Sequence, residues 1–110
     1  MQAFELESLW ADSWGKVLTL VSGEDCAELT AGIVAFKPGQ RVPEEGFTSH
    51  KGAELSLLLS GELVIVTEDG ERTIRSGELV LIERDTLHYS ENRSPSEARV
   101  IWVIAPAISL

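Results

Sequence analysis

The sequence predicts an all-β chain, folded as a sandwich or a small antiparallel barrel. Three observations carry that expectation. From Lys16 onward about eight short runs rich in aliphatic and β-branched residues follow one another. Signals built on Gly, Pro, Asp and Ser break them up roughly every 8 to 12 residues. No stretch shows a convincing apolar period near 3.6, which disfavours parallel βαβ arrangements.

The elements follow in order. Val17–Val21 is apolar and β-branched, and Ser22–Asp25 is a turn. Leu29–Phe36 is a second strand, stopped by Lys37-Pro38-Gly39. Glu54–Leu59 is a third, broken by Ser60-Gly61. Leu63–Glu68 and Glu71–Arg75 flank Asp69-Gly70, a pair that favours a type I′ hairpin because both central residues then take positive φ. Leu79–Ile82, Thr86–Ser90 and Ala98–Ala105 complete the set, the last ended by Pro106.

Residue parity adds detail, because successive strand side chains point to opposite faces. Glu54, Ser56 and Leu58 share one face of their strand, and Leu55, Leu57 and Leu59 share the other. The leucine row calls for a cover: a second sheet, the N-terminal segment or another subunit. The Glu54 face then lines a partly polar cavity. On the last strand Val100, Trp102 and Ile104 form one row, with Trp102 a candidate cavity wall. The least regular segment, residues 1–15, carries Leu9, Trp10 and Trp14 and is expected to pack on the barrel or on a partner subunit.

Acids outnumber bases 18 to 9, for a formal charge of −9. Such a surface repels nucleic-acid phosphates and anionic lipid, so neither is an expected partner. Cys26 is the one cysteine, which excludes an intrachain disulfide and a cysteine-based zinc site. A lone thiol and an acidic N-terminus without a basic n-region lead us to expect a cytoplasmic protein without a signal peptide. No repeat, low-complexity tract or linker divides the chain, so one domain over residues 1–110 is the simplest organisation.

The chain has two histidines. His50 precedes Glu54 by an even four residues, so in extended chain both point to one face, and Thr48 shares their parity. His88 lies on a later strand. Two imidazoles and a carboxylate meeting inside a barrel make a facial triad for a divalent transition metal, with positions left for water or substrate. Spacing alone equally fits surface or hydrogen-bonded strand histidines that never meet. Ser56, Ser90 and Asn92 stand at even separations from Glu54 or His88 and join Thr48 and Trp102 as candidate ligand-binding residues. Neither a phosphate-binding Gly-rich loop nor a Gly-x-Ser-x-Gly elbow is present.

Two longer patterns resemble the cupin superfamily. Gly46-x3-His50-x3-Glu54-x6-Gly61 is similar to the first cupin motif, with His50 on its second histidine, Glu54 on its glutamate and Gly61 on its closing glycine. Gly77–Asn92 (GELVLIERDTLHYSEN) is similar to the second, with Gly77, His88 and Asn92 on its glycine, histidine and asparagine. The likeness spans roughly residues 30–105. There are departures. Thr48 stands where the first histidine ligand would be, Gly46 lies closer to His50 than usual, and Glu83 and Asp85 replace a proline and a glycine.

The resemblance implies a single-domain antiparallel β-barrel of jelly-roll type that forms a homodimer. It implies a divalent metal (Fe, Mn, Ni or Zn) held by His50, Glu54 and His88, with Thr48 in place of a fourth ligand. The implied function is a small metalloprotein acting on a small organic molecule, of dioxygenase, isomerase, lyase or decarboxylase type. The alternative is a metal-free binding or sensor module that holds its ligand through Thr48, His50 and His88. Fold does not choose among these activities.

Overall fold

A computed structural model describes residues 1–109. Its strands are β1 (Val17–Val21), β2 (Thr30–Phe36), β3 (Arg41–Val42), β4 (Ala53–Ser60), β5 (Glu62–Thr67), β6 (Gly70–Arg75), β7 (Leu79–Ile82), β8 (His88–Glu91) and β9 (Ala98–Ala105). Eight lie within a residue or two of the strands expected from sequence. The ninth, β3, has two residues and too little pattern to be read in advance.

The strands pair antiparallel in two sheets, one ordered β1-β2-β9-β4-β7 and the other β3-β8-β5-β6. Consecutive strands alternate between sheets often enough to wind the chain into a jelly roll. Between the sheets lies the main core, with Val34, Phe36, Leu58, Val100, Trp102 and Ile104 facing Leu63, Ile65 and Ile74. Every second residue of β9 contributes, the period-2 signature of a strand with one buried face.

The β5–β6 hairpin forms, but its turn is not the one expected. Its loop is Glu68-Asp69, and Gly70 already pairs with Thr67. Among the described residues Asp85 is the one non-glycine with positive φ, so Asp69 does not adopt the type I′ geometry and Gly70 (φ 138°) takes up the twist.

The N-terminal segment covers part of the outer face of the first sheet. Trp10 is buried against Ile33 and Ala35, with Leu6, Leu9, Leu18 and Leu20 around it. Backbone bonds from Gly15 N to Ala35 O (2.8 Å) and from Ala35 N to Ser13 O (3.1 Å) fasten the segment to β2. Trp14 does not share this packing and is 44% exposed. Full burial of Trp10 contributes on the order of 3 kcal/mol.

The cover does not reach the leucine row. Glu54, Ser56 and Leu58 point inward, as parity required, and Leu55 and Leu59 stay 44% and 40% exposed on the outside. Strand β7 extends the same face, since Leu55 pairs with Leu81 and Leu57 with Leu79. Leu79 and Leu81 are 63% and 58% exposed. Neither the second sheet nor the N-terminal segment covers this apolar patch.

Candidate functional site

Three segments meet at one end of the barrel interior. His50 sits in the loop before β4, Glu54 lies inside β4, and His88 opens β8. The loop and β8 are joined main chain to main chain: Thr48 N donates to His88 O (2.9 Å) and His88 N donates to Thr48 O (2.8 Å). A third bond runs from Asp85 N to His50 O (2.8 Å). Asp85 has a φ of 63°, a left-handed conformation that glycine adopts freely and aspartate tolerates. Its place in the second motif is the one usually held by glycine, so the departure preserves the backbone. Gly52 lets the loop approach β9, because a Cβ there would lie 2.8 Å from the Ala105 carbonyl and Ile104.

The side chains converge. His50 Nε2 lies 3.3 Å from Glu54 Oε1, and His88 Nε2 lies 3.8 Å from the same oxygen. One donor atom from each of the three residues falls within 4.8 Å of the others. The imidazole rings are 5.4 Å apart, centroid to centroid, and 63° from parallel. The alternative in which the two histidines never meet is thereby excluded.

The donor set suits a metal. Ligand bonds of about 2.1 Å at tetrahedral or octahedral angles place neighbouring donors about 3.0–3.4 Å apart, so closing the triad on an ion needs small movements only. His88 Nδ1 lies 2.8 Å from the Thr86 carbonyl oxygen. A carbonyl can only accept, so Nδ1 carries a proton and Nε2 is the nitrogen turned toward Glu54. Ser56 Oγ donates to Glu54 Oε2 (2.9 Å), leaving Oε1 to face both rings. Burial works against ionisation of Glu54, but hydrogen bonds from His50 and Ser56 and the charges of His88 and His50 outweigh it, and the carboxyl is held below its ordinary value. A cation seated between Nε2 and the buried carboxylate would take the place of a proton there and be held by both.

The triad opens onto a cavity of about 220 Å³. Thr48, His50, Glu54, Ser56, His88 and Ser90 supply its polar groups. The rest of the lining is largely apolar, with Val34, Phe36, Leu63, Ile65, Val100 and Ile104 prominent. Strand register orders the two parts. Glu54 pairs with Ile104 at the triad end, and Ser56 with Trp102, Leu58 with Val100 and Val100 with Val34 follow in succession. Trp102 forms part of the wall, its ring lying over Gly32, where a Cβ would come within 2.5 Å of it. Its indole N–H is buried without an acceptor among the described residues.

Of the residues expected at the site, the structure brings Thr48, His50, Glu54, Ser56, His88, Ser90 and Trp102 to the cavity. It does not bring Asn92 there. Strand β8 ends at Glu91, and the buried Asn92 amide binds main chain instead: Nδ2 donates to the carbonyls of Phe36, Lys37 and Ser96, and Oδ1 accepts from Ser94 N and Oγ. Sequence reasoning missed Val42 and Pro43, which line the cavity from the short β3 and the residue after it. It also missed the Thr86 carbonyl, a main-chain group that no residue type announces.

A family model described as a cupin domain matches residues 32–104. The chain belongs to the cupin family. Solved structures agree on the fold. A conserved protein with a double-stranded β-helix domain from Klebsiella pneumoniae aligns with a TM-score of 0.80 at 16% identity, over 97% of this chain and 91% of that one. An RmlC-like cupin with a double-stranded β-helix fold from Methanocaldococcus jannaschii gives 0.74 at 16% identity, over 83% and 79%. The EutQ protein of Clostridium difficile gives 0.70 at 22% identity, over 86% and 69%. At these identities the likeness shows the cupin fold alone. A search of curated proteins found no match.

Proposed function

We propose that this cupin holds one divalent transition metal, Fe, Mn, Ni or Zn, through His50, Glu54 and His88, and acts on a small organic molecule in the adjoining cavity. The observation that carries the reading is the pairing of His88 Nε2 with Glu54 Oε1 while Nδ1 is committed to the Thr86 carbonyl. A bound metal would supply Lewis-acid polarisation or oxygen activation. The protein's own groups do the rest. Ser56 steadies the carboxylate, the clamp between residue 48 and His88 sets the imidazoles, and the Thr48 and Ser90 hydroxyls hydrogen-bond the bound molecule.

Elemental mass spectrometry on untagged protein tests the metal. Near-stoichiometric metal, lost when His50 and His88 are both changed to Ala, supports the reading. No metal after incubation with each ion overturns it.

A second reading is a metal-free module that binds its ligand without chemistry. Thr48 at a position where the family's motif has a ligating histidine favours it. Thr48→His decides between the two: a large rise in metal affinity marks a metal cage lacking one ligand, and no change marks a binding module. For either function we propose a homodimer formed through the exposed leucines of β4 and β7, with the protein residing in the cytoplasm, as the lone Cys26 suggests.

A further inference from the structure

We propose that the ligand of this cavity is a small apolar molecule with one oxygen-bearing head and at most one negative charge. This rests on the ligand-binding reading above and names the ligand class. The head sits among His50, Glu54 and His88, and the body runs toward Val34, Phe36 and Val100.

The first support is the distribution of polarity. The triad occupies one end, and register places aliphatic and aromatic side chains along the remaining length. A polyol lying there would give up water for few partners. Ser56 is already committed to Glu54, which leaves the hydroxyls of Thr48 and Ser90 and the unpaired indole N–H of Trp102.

The second support is charge. No lysine or arginine is among the described residues that line the cavity. Arg41, on the strand that supplies Val42, has its guanidinium stacked on the Tyr89 ring at 3.6 Å and donates to the carbonyls of Pro43 and Gly46. A divalent ion beside the Glu54 carboxylate leaves one net positive charge, enough for one anionic head. A second carboxylate or a phosphate on the ligand would find no counter-charge, and the chain's own charge of −9 opposes its approach.

Size is the third. A cavity of about 220 Å³ suits a molecule on the order of ten non-hydrogen atoms and not a nucleotide or cofactor.

Calorimetry on zinc-loaded protein tests the proposal with acetohydroxamic and hexanohydroxamic acids, which share a metal-binding head and differ by four methylenes. We expect the longer acid to bind on the order of a hundredfold tighter, and succinate to bind at least tenfold more weakly than hexanoate, which has the same carboxylate head. Equal hydroxamate affinities, or succinate binding as tightly as hexanoate, overturn the proposal while leaving the metal centre standing. Metal-free protein is titrated in parallel with hexan-1-ol and followed by methyl NMR. Saturable shifts at Val34, Ile65 and Ile104 support the apolar body site even if zinc fails to load, an outcome that would sink the metal reading alone. Absence of those shifts overturns the proposal whatever the metal content.

Discussion

The Nδ1 atom of His88 lies 2.8 Å from the carbonyl oxygen of Thr86, two residues back along the chain. That contact aims the opposite nitrogen at Glu54 and turns a buried histidine into a directed donor. His88→Gln is therefore expected to lower metal affinity at least tenfold, because an amide neither keeps the ring's reach nor offers an equivalent lone pair. Competitive chelator titration of the two proteins reads the difference.

Glu54 gives the protein a pH signature. Its carboxyl is held below the ordinary 4.5 because hydrogen bonds from His50 and Ser56, with the nearby imidazole charges, outweigh burial. A carboxyl with a lowered folded-state pKa binds protons more weakly folded than unfolded. Its stabilising contribution is thus complete above pH 4.5 and is lost as pH falls through the lower folded value. In chelated protein, the stability difference between wild type and Glu54→Gln should shift against wild type as pH falls below 4.5 and through the lower folded value. Urea unfolding across that range measures it, and a difference independent of pH would contradict the assignment.

Asp85 tests the backbone clamp. With φ at 63°, Asp85→Gly should leave stability within about 0.5 kcal/mol or raise it, whereas Asp85→Val should cost about 1–2 kcal/mol. The valine variant should also bind metal more weakly, since the Asp85 amide holds the His50 carbonyl. Denaturation and metal titration on the same preparations check both effects.

Asn92 is expected to matter for stability and not for the ligand. Asn92→Ala removes a buried amide that serves three carbonyls and one serine, at a cost of about 2–3 kcal/mol. Ligand affinity of the folded fraction should stay within twofold of wild type. A large affinity loss at unchanged stability would return Asn92 to the site.

The outer leucines give a prediction about assembly. Leu79→Glu with Leu81→Glu should convert the proposed dimer to monomer at micromolar concentration. Both side chains are largely exposed, so each change should alter monomer stability by no more than about 0.5 kcal/mol. Sedimentation velocity settles it; an unaltered dimer would place the interface elsewhere.

What could be read from the sequence follows from what side-chain order encodes. Alternation in β4 and β9 identified the inward rows, and even spacing put His50 and Glu54 on one face, whereas His88 was joined to them by the resemblance to the cupin motifs. The same counting misplaced Asn92, because it assumed extended chain beyond Glu91, where β8 ends. Parity also recognised the leucine row as needing a cover without saying which, and the N-terminal segment covers Ile33 and Ile101 instead. Asp69-Gly70 announced a hairpin, but which residues turn depends on the pairing of Thr67 with Gly70, a matter of register. The two residues of β3 carry no pattern, and its cavity lining was invisible for that reason.

The three bonds that join the Thr48–His50 loop to the residue 85–88 segment all run between main-chain atoms. Side-chain identity at position 48 therefore has no part in aiming the histidines. Threonine, histidine or a carboxylate can occupy it without retuning the frame, and only proline, lacking an amide hydrogen, would break the bond there. Position 48 behaves like an interchangeable bit in a fixed chuck: the barrel can gain or lose a metal ligand, and with it a chemistry, by one substitution that the fold barely registers.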